Sequence, residues 1–172
     1  MRRNIEIKAS VANVADLMER AARLAAAGPT VIHQDDTFFG CSNGRLKLRA
    51  FPDGSGELIF YQRANAGGPK TSFYEIAPTH NAGQLRQTLA LACGQVGRVL
   101  KKRTLFLAGR TRIHIDQVRD LGDFVELEVV LRDGEAEAEG IQEAHDLMAA
   151  LGIPGAALID RAYVDLLNGQ RA

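Results

Sequence analysis

The chain has 172 residues, enough for one domain with a substantial core. Its 21 Lys and Arg balance 21 Asp and Glu, which excludes a global field drawing nucleic acid or an anionic membrane and makes any basic character local. Aromatic residues are scarce and Trp is absent, which argues against a base-stacking surface, and no apolar stretch approaches the ~20 residues of a membrane span.

The first residues lack the apolar run of a signal peptide and enter a strand at about 3–9. A cytoplasmic location is the expectation. Asn13, with Asp16 three residues later, reads as the start of a helix reaching about Ala27 and stopped by Gly28-Pro29. Val14, Leu17, Met18, Ala21 and Leu24 recur at helical spacing and are core. Strands follow at about 31–39, 44–50, 57–63 and 70–77, the first joined to the second by Ser42-Asn43-Gly44 and the second to the third by Pro52-Asp53-Gly54-Ser55-Gly56. A helix at about 81–96 precedes strands at about 100–107, 110–117 and 123–131. A further helix at about 135–151 begins with Glu135, Glu137 and Glu139, favourable at a helix N-terminus, and stops at Gly152; a last one spans about 155–168. Short successive strands with tight turns predict antiparallel pairing, and eight of them suit a closed barrel with no exposed edge. The fold class is α+β, an eight-stranded antiparallel closed β-barrel with flanking helices, forming a single domain over residues 1–172.

The strands carry charges of both signs at alternate positions. Asn4, Glu6 and Lys8 share one strand face, as do Arg45, Lys47 and Arg49, Lys101 and Arg103, Arg112, His114 and Asp116, and Glu126 and Glu128. The opposite positions, such as Ile5, Ile7, Leu46, Leu48, Ile113, Ile115, Val125 and Leu127, are apolar. A solvated face would explain any one strand. A lumen that binds a polyanion through cations and a divalent metal through carboxylates explains the set. Cys41 and Cys93 are far apart and in no metal-ligand spacing, so they read as reduced thiols. Gly67-Gly68-Pro69-Lys70 lacks the Gly-Lys-Ser/Thr pattern of a phosphate loop. His33, His80, His114 and His145 form no spaced cluster; His114 either reaches the lumen or is a satisfied structural histidine.

Asn4-Ile5-Glu6-Ile7-Lys8 resembles the Glu-x-Glu-x-Lys motif of the CYTH superfamily, the triphosphate tunnel metalloenzymes. The likeness continues through Gln34-Asp35-Asp36-Thr37-Phe38-Phe39, Gly44-Arg45-Leu46-Lys47-Leu48-Arg49, Glu57 to Arg63, Lys101-Lys102-Arg103, Ile113-His114-Ile115-Asp116, Leu121 to Glu128 and Ala162-Tyr163-Val164-Asp165. The subgroup it most resembles is that of class IV adenylyl cyclases, alongside thiamine triphosphatases. The resemblance implies a tunnel in which Glu6, Asp116, Glu126 and Glu128 hold Mg2+ or Mn2+, hard cations suited to oxygen ligands. It implies that Lys8, Arg45, Lys47, Arg49, Arg63, Lys101 and Arg103 bind the triphosphate, Arg by planar bidentate contacts and Lys as a point charge. Glu6, Lys8, Glu126 and Glu128 would be the catalytic set. Lys70, Arg112 and Arg161 either join the cations or face water; Asp36 and Glu75 either orient cations or lie on the surface.

Asn4 departs from the motif, standing where the family has its first glutamate. The implied activity is metal-dependent hydrolysis of an inorganic or organic triphosphate such as tripolyphosphate, ATP or thiamine triphosphate, by a monomer or homodimer with no nucleic-acid or membrane partner. The alternatives are cyclisation of ATP to cyclic AMP and pyrophosphate, and a non-catalytic triphosphate sensor, the latter motivated by Asn4.

Overall fold

Alternating apolar and polar residues build β1 (Arg2–Ser10), β2 (Ala27–Phe39), β3 (Arg45–Ala50), β4 (Gly56–Arg63), β5 (Lys70–Thr79), β6 (Gln95–Ala108), β7 (Thr111–Val118) and β8 (Gly122–Val130). The computed structural model describes residues 2–63 and 68–170. Each strand pairs antiparallel with its neighbours in the ring order β1-β5-β4-β3-β2-β6-β7-β8, and β8 returns to β1, closing a barrel. Among the described residues, four α-helices flank it: α1 (Val14–Leu24), α2 (Ala82–Cys93), α3 (Glu137–Leu151) and α4 (Tyr163–Gln170). None of the described helices is long and apolar enough to cross a membrane. Gly67, and Met1 and the last two positions of the expected 1–172 domain, lie outside the described residues.

Most of the hydrophobic core lies outside the barrel. Ile5 and Ile7 of β1, Ile113 and Ile115 of β7, and Val125, Leu127 and Val129 of β8 are buried against Leu17 and Ala21 of α1 and Ala144, Met148 and Leu151 of α3. Gly140 lets α3 settle there, since a Cβ at that position would lie 2.6 Å from Leu131 Cδ2 and 2.7 Å from Ile5 Cγ1. Leu46, Leu48 and Leu58 meet Leu85 and Leu89 of α2 on the outside, while Phe38, Val99, Val118 and Phe124, on the inner strand faces, meet Tyr163, Val164 and Leu167 of α4, which packs against one end of the barrel. Each fully buried Ile or Leu contributes about 1.5–3 kcal/mol, so the outer faces supply most of the apolar burial, and the inner faces carry the charges beside the apolar cluster under α4.

Three helix boundaries differ from expectation. The helix expected to run to about 96 is α2, which ends at Cys93, with β6 already under way at Gln95. Asn13 does cap α1, accepting a hydrogen bond from the Asp16 amide, but α1 ends at Leu24 and β2 already begins at Ala27. Gly28-Pro29 therefore lies within a strand, where the β2–β6 register shifts between Ala27 and Thr30. Gly28 takes φ +110°, and a Cβ there would lie 2.7 Å from the Leu105 carbonyl oxygen. The expected helix at 155–168 is instead a short turn at Gly155–Ala157, an extended link and then α4. The link is held by β1: the Ile159 amide donates to the Lys8 carbonyl at 2.8 Å, and Leu158 bridges Ala9.

Candidate active site

The inner faces of the strands enclose a cavity of about 310 Å3 lined by Asn4, Glu6, Lys8, Asp36, Lys47, Arg49, Arg63, Lys101, Arg103, Arg112, His114, Glu126 and Glu128, with Tyr61, Tyr74 and Tyr163 among others. In the ring, β1 and β8 carry Glu6, Glu126 and Glu128, whereas β3 and its neighbour β2 lie across the barrel. The lumen thus has an acidic wall and a cationic one.

On the cationic wall, Asp36 of β2 sits opposite Arg49 of β3. Lys47 Nζ donates to Asp36 Oδ2 at 2.9 Å, and Arg49 donates from Nε to Oδ1 and from Nη2 to Oδ2, both at 2.9 Å. Burial pushes the Asp36 carboxyl up, but Arg49 and Lys47 outweigh it and hold the group well below its ordinary value. Burial pushes Lys47 down to about 8, partly offset by Asp36. Asp36 therefore orients two cations, as one of the two expectations had it, while Glu75 lies exposed on β5.

A second buried carboxylate does the same for β6. Arg103 donates from Nε to Asp116 Oδ1 and from Nη2 to Oδ2, both at 2.6 Å. Lys101 Nζ lies 3.3 Å from Asp116 Oδ2, and the Tyr163 hydroxyl donates to that oxygen at 3.0 Å. Burial raises the Asp116 pKa, and Arg103 and Lys101 reverse the effect and lower it. Tyr163 also presents its ring to Lys8 Nζ at 4.0 Å and Lys101 Nζ at 5.1 Å, cation–π distances.

The acidic wall follows from strand register. Glu6 is paired with Glu128 and Lys8 with Glu126 between β1 and β8; His114 is paired with Glu126 and Arg112 with Glu128 between β7 and β8. Glu126 accepts Lys8 Nζ at 3.0 Å and Arg103 Nη2 at 2.5 Å. Burial raises its pKa, but Lys8 and Arg103 hold it well below the carboxylate range. Glu128, 3.0 Å from Arg112 Nε, is raised by burial, with Arg112 and Arg103 opposing and Glu126 adding to the rise. Glu6 pairs with Arg63. Ligand atoms of His114, Glu126 and Glu128 all lie within 4.8 Å of one another, a spacing that suits one metal ion.

The structure brings Glu6, Lys8, Lys47, Arg49, Arg63, Lys101, Arg103, Glu126 and Glu128 to one cavity. It sets two expected residues apart. Arg45 shares the β3 face but is drawn to the rim, where Asp165 of α4 takes Nη1 at 3.0 Å and Nη2 at 2.5 Å. Asp116 is fully buried and does not line the cavity; its oxygens accept from Arg103, Lys101 and Tyr163, so it orients cations. Arg112 joins the lumen. Lys70 is buried at the far end of the C-terminal link, Nζ 3.5 Å from the Asp160 carbonyl, and Arg161 gives its carbonyl to Lys8 Nζ at 3.4 Å while remaining exposed. Tyr163 had no role in the sequence reading. Its only signal is its place in the block resembling the family's last helix.

The family model described as the CYTH domain matches residues 2–163. Among solved structures, the chain resembles a protein from Pyrococcus horikoshii at 20% identity and TM-score 0.84, covering 95% of this chain and 98% of that one. It resembles a candidate adenylate cyclase from Vibrio parahaemolyticus at 17% identity and TM-score 0.76, covering 96% and 97%. It also resembles a candidate adenylyl cyclase from Hippeastrum, described as revealing a dominant triphosphatase activity, at 14% identity and TM-score 0.62, covering 99% and 96%. At these identities the likeness concerns the fold. Comparison with curated protein sequences found no match.

Proposed function

This chain belongs to the CYTH domain family, and on that premise we propose that it is a divalent-metal-dependent triphosphatase, acting as one domain on a triphosphate held in the barrel lumen. The observation that carries the reading is the division of the lumen: Lys47, Arg49, Lys101 and Arg103 converge from β3 and β6, and Glu6, Glu126 and Glu128 stand on β1 and β8.

Phosphoryl transfer asks a protein chiefly for positioning and charge neutralisation. Arg49 and Arg103 present planar forks already aimed by Asp36 and Asp116, so they clamp phosphate oxygens without rearranging. Lys47 and Lys101 add point charges beside them, and Arg63 and Lys8 bridge toward the carboxylates. Glu126 and Glu128, with Glu6 next to them, would hold Mg2+ or Mn2+; their close spacing and the buried, charged surroundings fit a divalent ion. Such an ion neutralises phosphate charge and lowers the pKa of bound water. Attack of a water oxygen on the terminal phosphorus then forms one P–O bond and breaks another, releasing orthophosphate and a diphosphate. The two neighbours described as candidate cyclases keep cyclisation as the competing outcome, whereas hydrolysis needs no base-recognition pocket. The test is metal-dependent phosphate release from tripolyphosphate by the wild type, lost in Glu126→Gln and Glu128→Gln while tripolyphosphate still binds. Full activity in both variants would overturn the assignment.

A further inference from the structure

The acidic wall contains a nitrogen donor that the hydrolytic reading does not use. His114 is 5% exposed, lines the cavity between Arg112 and the buried Asp116 on β7, and stands directly opposite Glu126. Its Nδ1 is buried with no hydrogen-bond partner and lies 3.7 Å from Glu128 Oε1, beyond hydrogen-bond reach. A structural histidine normally satisfies both ring nitrogens, because an unpaired buried polar atom is costly. This one holds an orphaned nitrogen beside Glu128, and the residue forms a ligand-spaced group with Glu126 and Glu128.

We propose that His114, Glu126 and Glu128 form a mixed nitrogen–oxygen site that selects a first-row transition-metal ion over Mg2+. The proposal rests on the metal-dependent reading above and narrows its metal. Mg2+ favours oxygen donors and sheds water reluctantly. Imidazole nitrogen is a borderline donor that favours transition metals, with Mn2+ the weakest-binding of the series and therefore the most stringent probe. The same donor compensates for a departure elsewhere on the wall. Asn4 brings a neutral amide where the related motif has a carboxylate, and its Oδ1 is likewise buried without a partner. Neutral His114 and neutral Asn4 leave the site with fewer negative charges, which weakens its hold on Mg2+ more than on an ion that gains from nitrogen ligation.

The test uses the full chain without any triphosphate, so that its outcome is separate from turnover. Mn2+ and Mg2+ are titrated calorimetrically, and nitrogen hyperfine coupling is recorded by pulsed EPR on protein loaded with one equivalent of Mn2+. The expected results are Mn2+ binding at least about tenfold tighter than Mg2+ and a histidine-nitrogen coupling on the bound ion. In His114→Asp the coupling should vanish and the preference should fall toward parity. Absence of nitrogen coupling in the wild type, which needs no variant to fold, would overturn the proposal; so would an unchanged Mn2+/Mg2+ ratio in a folded His114→Asp. A protein that shows the coupling but turns over no triphosphate would refute the hydrolytic reading and leave this site standing. One that hydrolyses tripolyphosphate with Mg2+ and shows no coupling would do the reverse.

Discussion

Arg103 and Asp116 meet through two parallel hydrogen bonds of 2.6 Å beneath Tyr163 of α4, with the Asp116 carboxylate wholly removed from water. Because Asp116 neutralises Arg103 from behind, the guanidinium can also reach Glu126 on the lumen side. Asp116→Asn keeps the shape and removes the charge, taking the bidentate counter-ion from Arg103, which keeps its contact with Glu126, and the paired carboxylate from Lys101. Breaking a buried pair on one side costs about 3–5 kcal/mol. The expected outcome is a loss of that size in urea unfolding. A change under about 1 kcal/mol would show that Asp116 is not the counter-ion of this wall.

Arg49 tests the cationic wall from the lumen side. An anion that binds only the folded barrel stabilises it by about 2.7 kcal/mol at 100 times its Kd, a rise of about 5–10 °C in melting temperature for a chain of this size. Tripolyphosphate should produce that shift in the wild type. Arg49→Ala, compared with its own ligand-free melting point, should show much less. Equal shifts would place Arg49 outside the binding surface.

The pH dependence of anion binding should carry the signature of Lys47. Burial brings its pKa down to about 8, so the ammonium is present below that pH and is lost above it. Tripolyphosphate affinity should therefore fall as pH rises from 7 to 9, by up to about tenfold for each unit above the pKa. Lys47→Arg, with a guanidinium that stays charged, should flatten the decline. Parallel curves for the two proteins would assign the titration to another group.

Much of this architecture is legible in the chain because period-2 alternation is a local property. The eight strands and the shared faces of Glu6 with Lys8, Lys47 with Arg49, and Glu126 with Glu128 all follow from it. Depth along the lumen is a tertiary property and does not. Arg45 and Arg49 share a face, yet α4 brings Asp165 to the first and leaves the second in the cavity. Asp116 and His114 share a face too, but Tyr163 covers the former. The C-terminal link reads as helix from local sequence, whereas its extended form depends on the Lys8 carbonyl and Ala9 of β1, a strand at the opposite end of the chain. The sequence supports two readings of His114, since nothing local reveals whether a buried ring nitrogen has a partner.

The central claim is that this lumen clamps a triphosphate for attack by water at the terminal phosphorus. The most direct measurement is turnover in 18O-labelled water, with tripolyphosphate and ATP offered in parallel with Mg2+ or Mn2+ and the products identified by 31P NMR and mass spectrometry. The account predicts orthophosphate carrying one 18O atom, formed by the wild type and not by Glu126→Gln. Cyclic AMP with unlabelled pyrophosphate from ATP, or tight binding of both compounds with no turnover of either, would contradict it.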